Sequence, residues 1–248
     1  GVAGAALSTT LSRAVSCIVS LLIIYLSKKS VLHIEFKGKY RLDFKAIKQM
    51  FSIGLPAAAE QFILHSGLMF FARTVSGLGT VAYAAHQIGL NINGLAFSPS
   101  MAFGVASTTL VGQSLGADDV KKAKKYADVV HSLAVCVACF VGLIFIFFSY
   151  SIVRLYTSDP TVIAMAGTVL KIMAFAQPGQ STQLSLSGAL RGAGDTIYPL
   201  YASFFGIWVF RVGVAYVFVN IFNWGLIGAW VSMVLDQYAR AFIIYRRF

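Results

Sequence analysis

The sequence predicts an all-α, polytopic membrane protein, and three observations carry that prediction. Of 248 residues, 58% are hydrophobic and only 12% are charged, where soluble domains run at about half apolar and a quarter charged. The apolar residues fall in long blocks, each able to cross a hydrocarbon core that needs about 20 residues of helix. The net charge of +11 lies mostly in the gaps between those blocks. That is the pattern of cytoplasmic loops and not of a nucleic-acid-binding surface, so no nucleic-acid partner is expected.

Seven spanning segments follow in order: 2–27, 50–75, 81–114, 126–155, 161–190, 197–222 and 226–245. The third contains Pro99 between Gly94 and Gly104, so a kinked or broken helix is expected there, because proline removes a backbone donor and crowds the preceding turn. Asp118 and Asp119 precede a lysine run and mark the start of the fourth helix, where acidic groups suit the dipole. Cys17, Cys136 and Cys139 all lie in apolar segments. The CxxC spacing of the last two lacks a strand-helix redox turn, so it reads as helix packing.

Most of the 20 basic residues fall on one side of this alternation. Lys28, Lys29, Lys37, Lys39, Arg41, Lys45 and Lys48 share it with Lys121, Lys122, Lys124, Lys125, Arg191, Arg240, Arg246 and Arg247, whereas Arg73 and Arg154 lie opposite. The cation-rich side is cytoplasmic, which puts the C-terminus inside and Gly1 outside. The chain opens on Gly without a cleavable signal pattern, and an upstream portion is expected. "GVAGAALSTTL" at the start and "GLIGAWVSMVL" near the end share Gly, Gly, Ala, Ser and Leu at one constant offset. Small-residue packing offers a chance explanation; a true parallel repeat would make the first and seventh segments the last helices of two six-helix units.

Polar groups inside apolar segments are the candidate site. Ionisable residues there cost several kcal/mol unless they face protein or a hydrated cavity. Glu60, four residues after Pro56, is either a structural carboxyl or a titratable group on a substrate path. Tyr83, Gln87, Asn91, Gly94 and Ser98 recur on one helical stripe, and Gln177, Gln180, Ser181, Ser187 and Gly188 form another. Both are expected to face inward, as interhelical glue or as cavity lining. His65 and His86 read as proton relays or as hydrogen-bonded structural groups. Asp236 and Arg240 are four apart, the spacing of a local ion pair; Lys171 and Arg211 either snorkel or pair with another helix. No metal-ligand spacing, nucleophile elbow, phosphate loop or acid/base dyad occurs, so neither catalytic nor metal-binding residues are expected, which counts against an enzyme.

"GLPAAAEQ" (54–61), "LGTVAYAAHQI" (78–88), "TTLVGQSLGA" (108–117), "SGALRGAGDT" (187–196) and "GLIGAWVSMVLDQYAR" (225–240) resemble the multidrug and toxic compound extrusion (MATE) family, and "GVAGAALSTTLSR" (1–13) resembles its sixth helix. The resemblance implies a MATE-type fold of twelve transmembrane helices in two six-helix lobes. Seven of the twelve lie in this chain: the last N-lobe helix (1–27), a basic cytoplasmic inter-lobe loop (28–48) and the C-terminal lobe (49–248). It further implies a monomeric antiporter of the cell membrane, without a bound cofactor, exporting amphipathic and often cationic compounds in exchange for Na⁺ or H⁺. Glu60, Tyr83, Gln87, Asn91, Ser98, Gln177, Gln180 and Ser181 are then the expected substrate or cation cavity, and Glu60 and His65 the coupling candidates. One branch of the family carries essential acids at positions that fall here on Leu64 and near Gln180, neither of them acidic; "LPAAAEQ" resembles bacterial branches whose coupling aspartate sits on the first helix. The alternative is a lipid-linked glycan flippase of the same architecture, which would need a strongly cationic cavity; basic residues in the loops and amides on the stripes favour the antiporter.

Overall fold

The computed structural model describes residues 2–26 and 43–248, without the side chains of 2, 3, 5, 24–26, 46, 49 and 53. Gly1, Lys28, Lys29, Lys37, Lys39 and Arg41, with most of the expected loop 28–48, lie outside the described residues. The chain divides into two units, Gly1–Ile47 and Lys48–Phe248.

Over its described residues, every expected segment is essentially helical. The helices are α1 (Val2–Leu26), α2 (Phe44–Ser76), α3 (Thr80–Gly116), α4 (Val120–Arg154), α5 (Pro160–Gly192), α6 (Ile197–Phe204) and α7 (Gly225–Arg247); α6 continues as π-helix through Phe205–Val214 and Val217–Ile221. Among the described residues, five spans are long and apolar enough to cross a membrane: α1, α3, α4, α5 and the stretch Ile197–Ile221. The protein is therefore a multi-pass membrane protein. In α1 the hydroxyls of Thr10, Ser16 and Ser20 donate to carbonyls one turn back, at 2.8–2.9 Å, which satisfies them without a partner helix.

Local chemistry sets the ends. Helix α2 starts earlier than residue 50 because Asp43 accepts from the Lys45 amide at 2.8 Å and its carbonyl takes the Ile47 amide at 3.0 Å. Asp119 caps α4 by accepting from the Lys122 amide at 2.9 Å, as the acidic pair predicts. Asp159 caps α5 through the Thr161 amide at 2.8 Å and the Thr161 hydroxyl at 2.6 Å. Those hydrogen bonds, the hydroxyl's first, hold its carboxyl below the ordinary aspartate range. Helix α3 runs through Pro99 without a break, so of the two expected alternatives, kinked or broken, the break is absent; a single lost donor does not end a helix that is held along its length by neighbours.

Helix α5 is the centre of the second unit, packing on α3, α4 and α7. Glycines let α3 and α5 approach to backbone contact. A Cβ on Gly104 would lie 3.0 Å from the Leu184 carbonyl oxygen, one on Gly192 would lie 3.1 Å from Thr108 Cα, and one on Gly188 would run into the Gly104 carbonyl. Thr108 Oγ1 clamps the seam by donating to the Gly104 carbonyl at 3.0 Å and the Gly188 carbonyl at 2.9 Å. This is small-residue packing, which substitutes for hydrophobic burial in lipid. Gly188→Val should force the helices apart and cost about 1–3 kcal/mol, as overpacking does. A fall in the thermal midpoint of the full-length protein in detergent checks it; an unchanged midpoint would show that the seam tolerates separation.

Candidate functional site

A cavity of about 440 Å³ opens inside the second unit, lined from α2, α3, α5, the π-helical stretch and α7. Its apolar lining includes Leu64, Leu68, Phe97, Met101, Val105 and Met233. Its polar and charged lining includes Glu60, His65, Asn93, Gln180, Gln183, Gln237 and three arginines, Arg191, Arg211 and Arg240.

Glu60 is 2% exposed and fully engaged. Its Oε2 lies 2.7 Å from Arg191 Nη2, and its Oε1 accepts from Ser203 Oγ at 2.9 Å. The bond joins the middle of α2 to the last turn of α5, where a cation also suits the helix dipole. Arg191 keeps about a third of its side chain exposed, at 34%.

Asp236 is the second anchor, with no exposure. Arg211 Nη2 approaches its Oδ2 at 2.6 Å, and Arg240 Nε lies 2.8 Å from its Oδ1. The i,i+4 pair expected within α7 is present, and Arg211 of the π-helical stretch joins it. Gly206 makes room, since a Cβ there would collide with Arg240 and Asp236. A π turn spaces side chains differently from an α turn and often marks functional positions; this register turns Arg211 towards α7.

Amides connect the triad to α5. Arg240 Nη2 donates to Gln237 Oε1 at 3.1 Å, and Gln237 Nε2 donates to Gln180 Oε1 at 3.4 Å. Gln177 Nε2 donates to Asn93 Oδ1 at 3.3 Å.

The expected residues divide. Glu60, His65 and Gln180 line the cavity; His65 Nδ1 sits 2.9 Å from the Gln61 carbonyl. Gln177 and Ser181 are buried beside it, 1% and 0% exposed. Tyr83, Gln87, Asn91 and Ser98 are not brought to it: they share a face of α3 that this chain leaves exposed, where Gln87 Nε2 donates to Tyr83 Oη at 2.9 Å, Asn91 to the Gln87 carbonyl at 3.0 Å and Ser98 to the Gly94 carbonyl at 3.3 Å. The buried face of α3 is built of Ala82, Ala85, Gly89, Ala96 and Gly104, and Asn93, rotated about 200° from Asn91, supplies its cavity amide.

Arg191 and Arg240 read as loop-side charges from sequence, yet both turn inward. His86 packs 5.4 Å from the Trp230 ring, and its Nδ1 has no partner in the structure, which fits packing better than a relay. The Lys171 ammonium sits 4.6 Å over the Tyr150 ring. Sequence signalled the Arg211 partner only indirectly: a buried guanidinium needs a carboxylate, and Asp236 is one of few acids in the apolar segments.

The MatE family model matches residues 56–217. A protein of Thermotoga maritima described as a probable multidrug resistance protein NorM is 34% identical over 236 residues, covering 95% of this chain and 50% of that protein. The Bacillus subtilis transporter YisQ is 26% identical over 249 residues, covering 100% of this chain and 54% of its own length. A solved structure of a multidrug resistance MATE family transporter of the MOP superfamily, in its outward-facing conformation, superposes with a TM-score of 0.91 at 20% identity, covering 100% of this chain and 55% of that one. The chain thus spans about half the length of the curated relatives it matches.

Proposed function

The chain belongs to the MatE family, and from that premise we propose that it forms the last helix of one lobe (1–27), the inter-lobe segment (28–48) and the second lobe (49–248) of a twelve-helix, ion-coupled exporter of amphipathic small molecules. The carrying observation is a cavity within a membrane-spanning bundle that combines apolar lining with an engaged carboxylate, Glu60, and a second buried ion cluster. Charges inside a bilayer persist where they serve a path or a relay. The protein works in the cell membrane with its C-terminus cytoplasmic, as a monomer, taking Na⁺ or H⁺ as coupling ion and no bound cofactor. Glu60 tunes coupling: a proton or cation on its carboxylate competes with Arg191 for the same oxygen.

The exposed amide stripe of α3 supports the larger assembly, because a row of Tyr83, Gln87, Asn91 and Ser98 left in lipid is costly. A lipid-linked glycan flippase is the second reading, and the three cavity arginines favour it. Cells expressing the full-length protein should export a panel of fluorescent amphiphiles, cationic and anionic, when an inward Na⁺ or H⁺ gradient is imposed. Absence of gradient-dependent export across the panel would overturn the exporter reading, and translocation of lipid-linked glycan in its place would support the flippase.

A further inference from the structure

We propose that this cavity holds the acidic head of an amphipathic molecule, at a site made by Gln180 Nε2 and the guanidinium groups of Arg211 and Arg240. The inference rests on the exporter reading and narrows its substrate class, away from the cations that the family resemblance implies.

The site carries an unbalanced charge. Arg211 and Arg240 share one carboxylate, Asp236, and all three are buried, at 5%, 5% and 0% exposure. Two cations and one anion leave a positive charge in a low-dielectric interior, where an uncompensated ion is costly. Arg191 and Glu60 pair with each other and leave nothing over. Counting Asp236 behind the lining, two carboxylates, Glu60 and Asp236, stand against Arg191, Arg211 and Arg240, so a single further negative charge brings the set to neutrality.

The directions of the hydrogen bonds lead to the same place independently of charge. A guanidinium can only donate, so the Gln237 oxygen must face Arg240, as its 3.1 Å contact shows. That turns the Gln237 NH₂ group towards Gln180, which must answer with its own oxygen, at 3.4 Å. The Gln180 NH₂ group is thereby left over, and Gln180 Nε2 is buried without a partner, as is Arg211 Nε. The amide assignments follow from the arginine and need no separate choice. The relay thus begins at a cation and ends in a free donor on a residue that lines the cavity. Such an end wants an acceptor, and in this field an anionic one, because a charge-assisted bond is shorter and roughly twice as strong as a neutral one.

The apolar lining completes the selection. Leu64, Leu68, Phe97, Met101, Val105 and Met233 suit an alkyl or aryl body, which makes the ligand an amphipathic carboxylate or phosphate. Free acids and acidic lipid headgroups share this chemistry.

Radiolabelled decanoate, decanol and decyltrimethylammonium would be titrated onto the full-length protein in phosphatidylcholine nanodiscs at neutral pH. Decanoate should bind roughly tenfold or more tighter than decanol, the effect of one charge-assisted hydrogen bond. Gln180→Leu should remove most of that preference. Gln180→Glu supplies the negative charge from the protein itself; it should abolish the preference for decanoate while decanol binding persists, which also reports that the variant is folded. Competition by phosphatidylglycerol doped into the nanodiscs would assign the site to a lipid acid, and its failure to compete would assign it to a soluble one. Equal affinity for decanoate and decanol, or a preference untouched by Gln180→Glu, would overturn the proposal. Gradient-driven export without decanoate binding would remove this inference and leave the exporter standing; decanoate binding without export of any amphiphile would do the reverse.

Discussion

Asp236→Asn is expected to cost about 3–5 kcal/mol of stability, the range for removing one partner from a buried ion pair. The fully buried carboxylate holds Arg211 at 2.6 Å and Arg240 at 2.8 Å, so its loss leaves two guanidiniums without an anion in the bundle. The comparison that tests the cause is Arg211→Met. That change removes one cation and leaves a neutral Asp236–Arg240 pair, so its effect should be clearly smaller, although it deletes the same number of charges. Thermal midpoints of the full-length variants, read by fluorescence-detected size exclusion in detergent, separate the two. If Arg211→Met is as damaging as Asp236→Asn, charge balance is not what the triad provides, and packing around Gly206 explains both losses.

The same triad shows where sequence reading reaches its limit. The helices themselves were legible because lipid demands long apolar runs, and the start of α4 because Asp119 precedes a first turn with free amides. The i,i+4 spacing of Asp236 and Arg240 was legible for the same local reason. Arg211 was not, since its partner is set by a π-helical register that no hydrophobic period announces. The two faces of α3 need a different criterion. In a bilayer, apolarity does not distinguish inside from outside; small residues that permit close approach do. Gly104, Thr108 and Gly112 lie on the seam with α5, while the amide stripe faces away from it. Gln177, Gln180 and Ser181 turned inward because α5 is surrounded on several sides, so almost any stripe on it is buried.

Glu60→Gln should leave expression intact and change the pH or Na⁺ dependence of transport. The amide is isosteric and can still accept from Ser203, whose hydroxyl lies 2.9 Å from Oε1, so the α2 contact survives. What is lost is the negative charge facing Arg191 at 2.7 Å. Because Arg191 keeps about a third of its side chain exposed, water can take over that guanidinium, and the stability change should stay near 1 kcal/mol, the scale of solvent-screened pairs. A large functional change beside a small structural one is therefore the signature of a coupling role. Arg191→Gln completes the cycle: coupling between the two positions of about 0.5–3 kcal/mol is usual for groups in direct contact. If Glu60 acts through that pair, the Glu60→Gln, Arg191→Gln double variant should show the same ion dependence as Glu60→Gln alone. Transport with wild-type ion dependence in Glu60→Gln would return the carboxylate to a purely structural role, joining α2 to the end of α5 and to Ser203 just before the π-helical stretch.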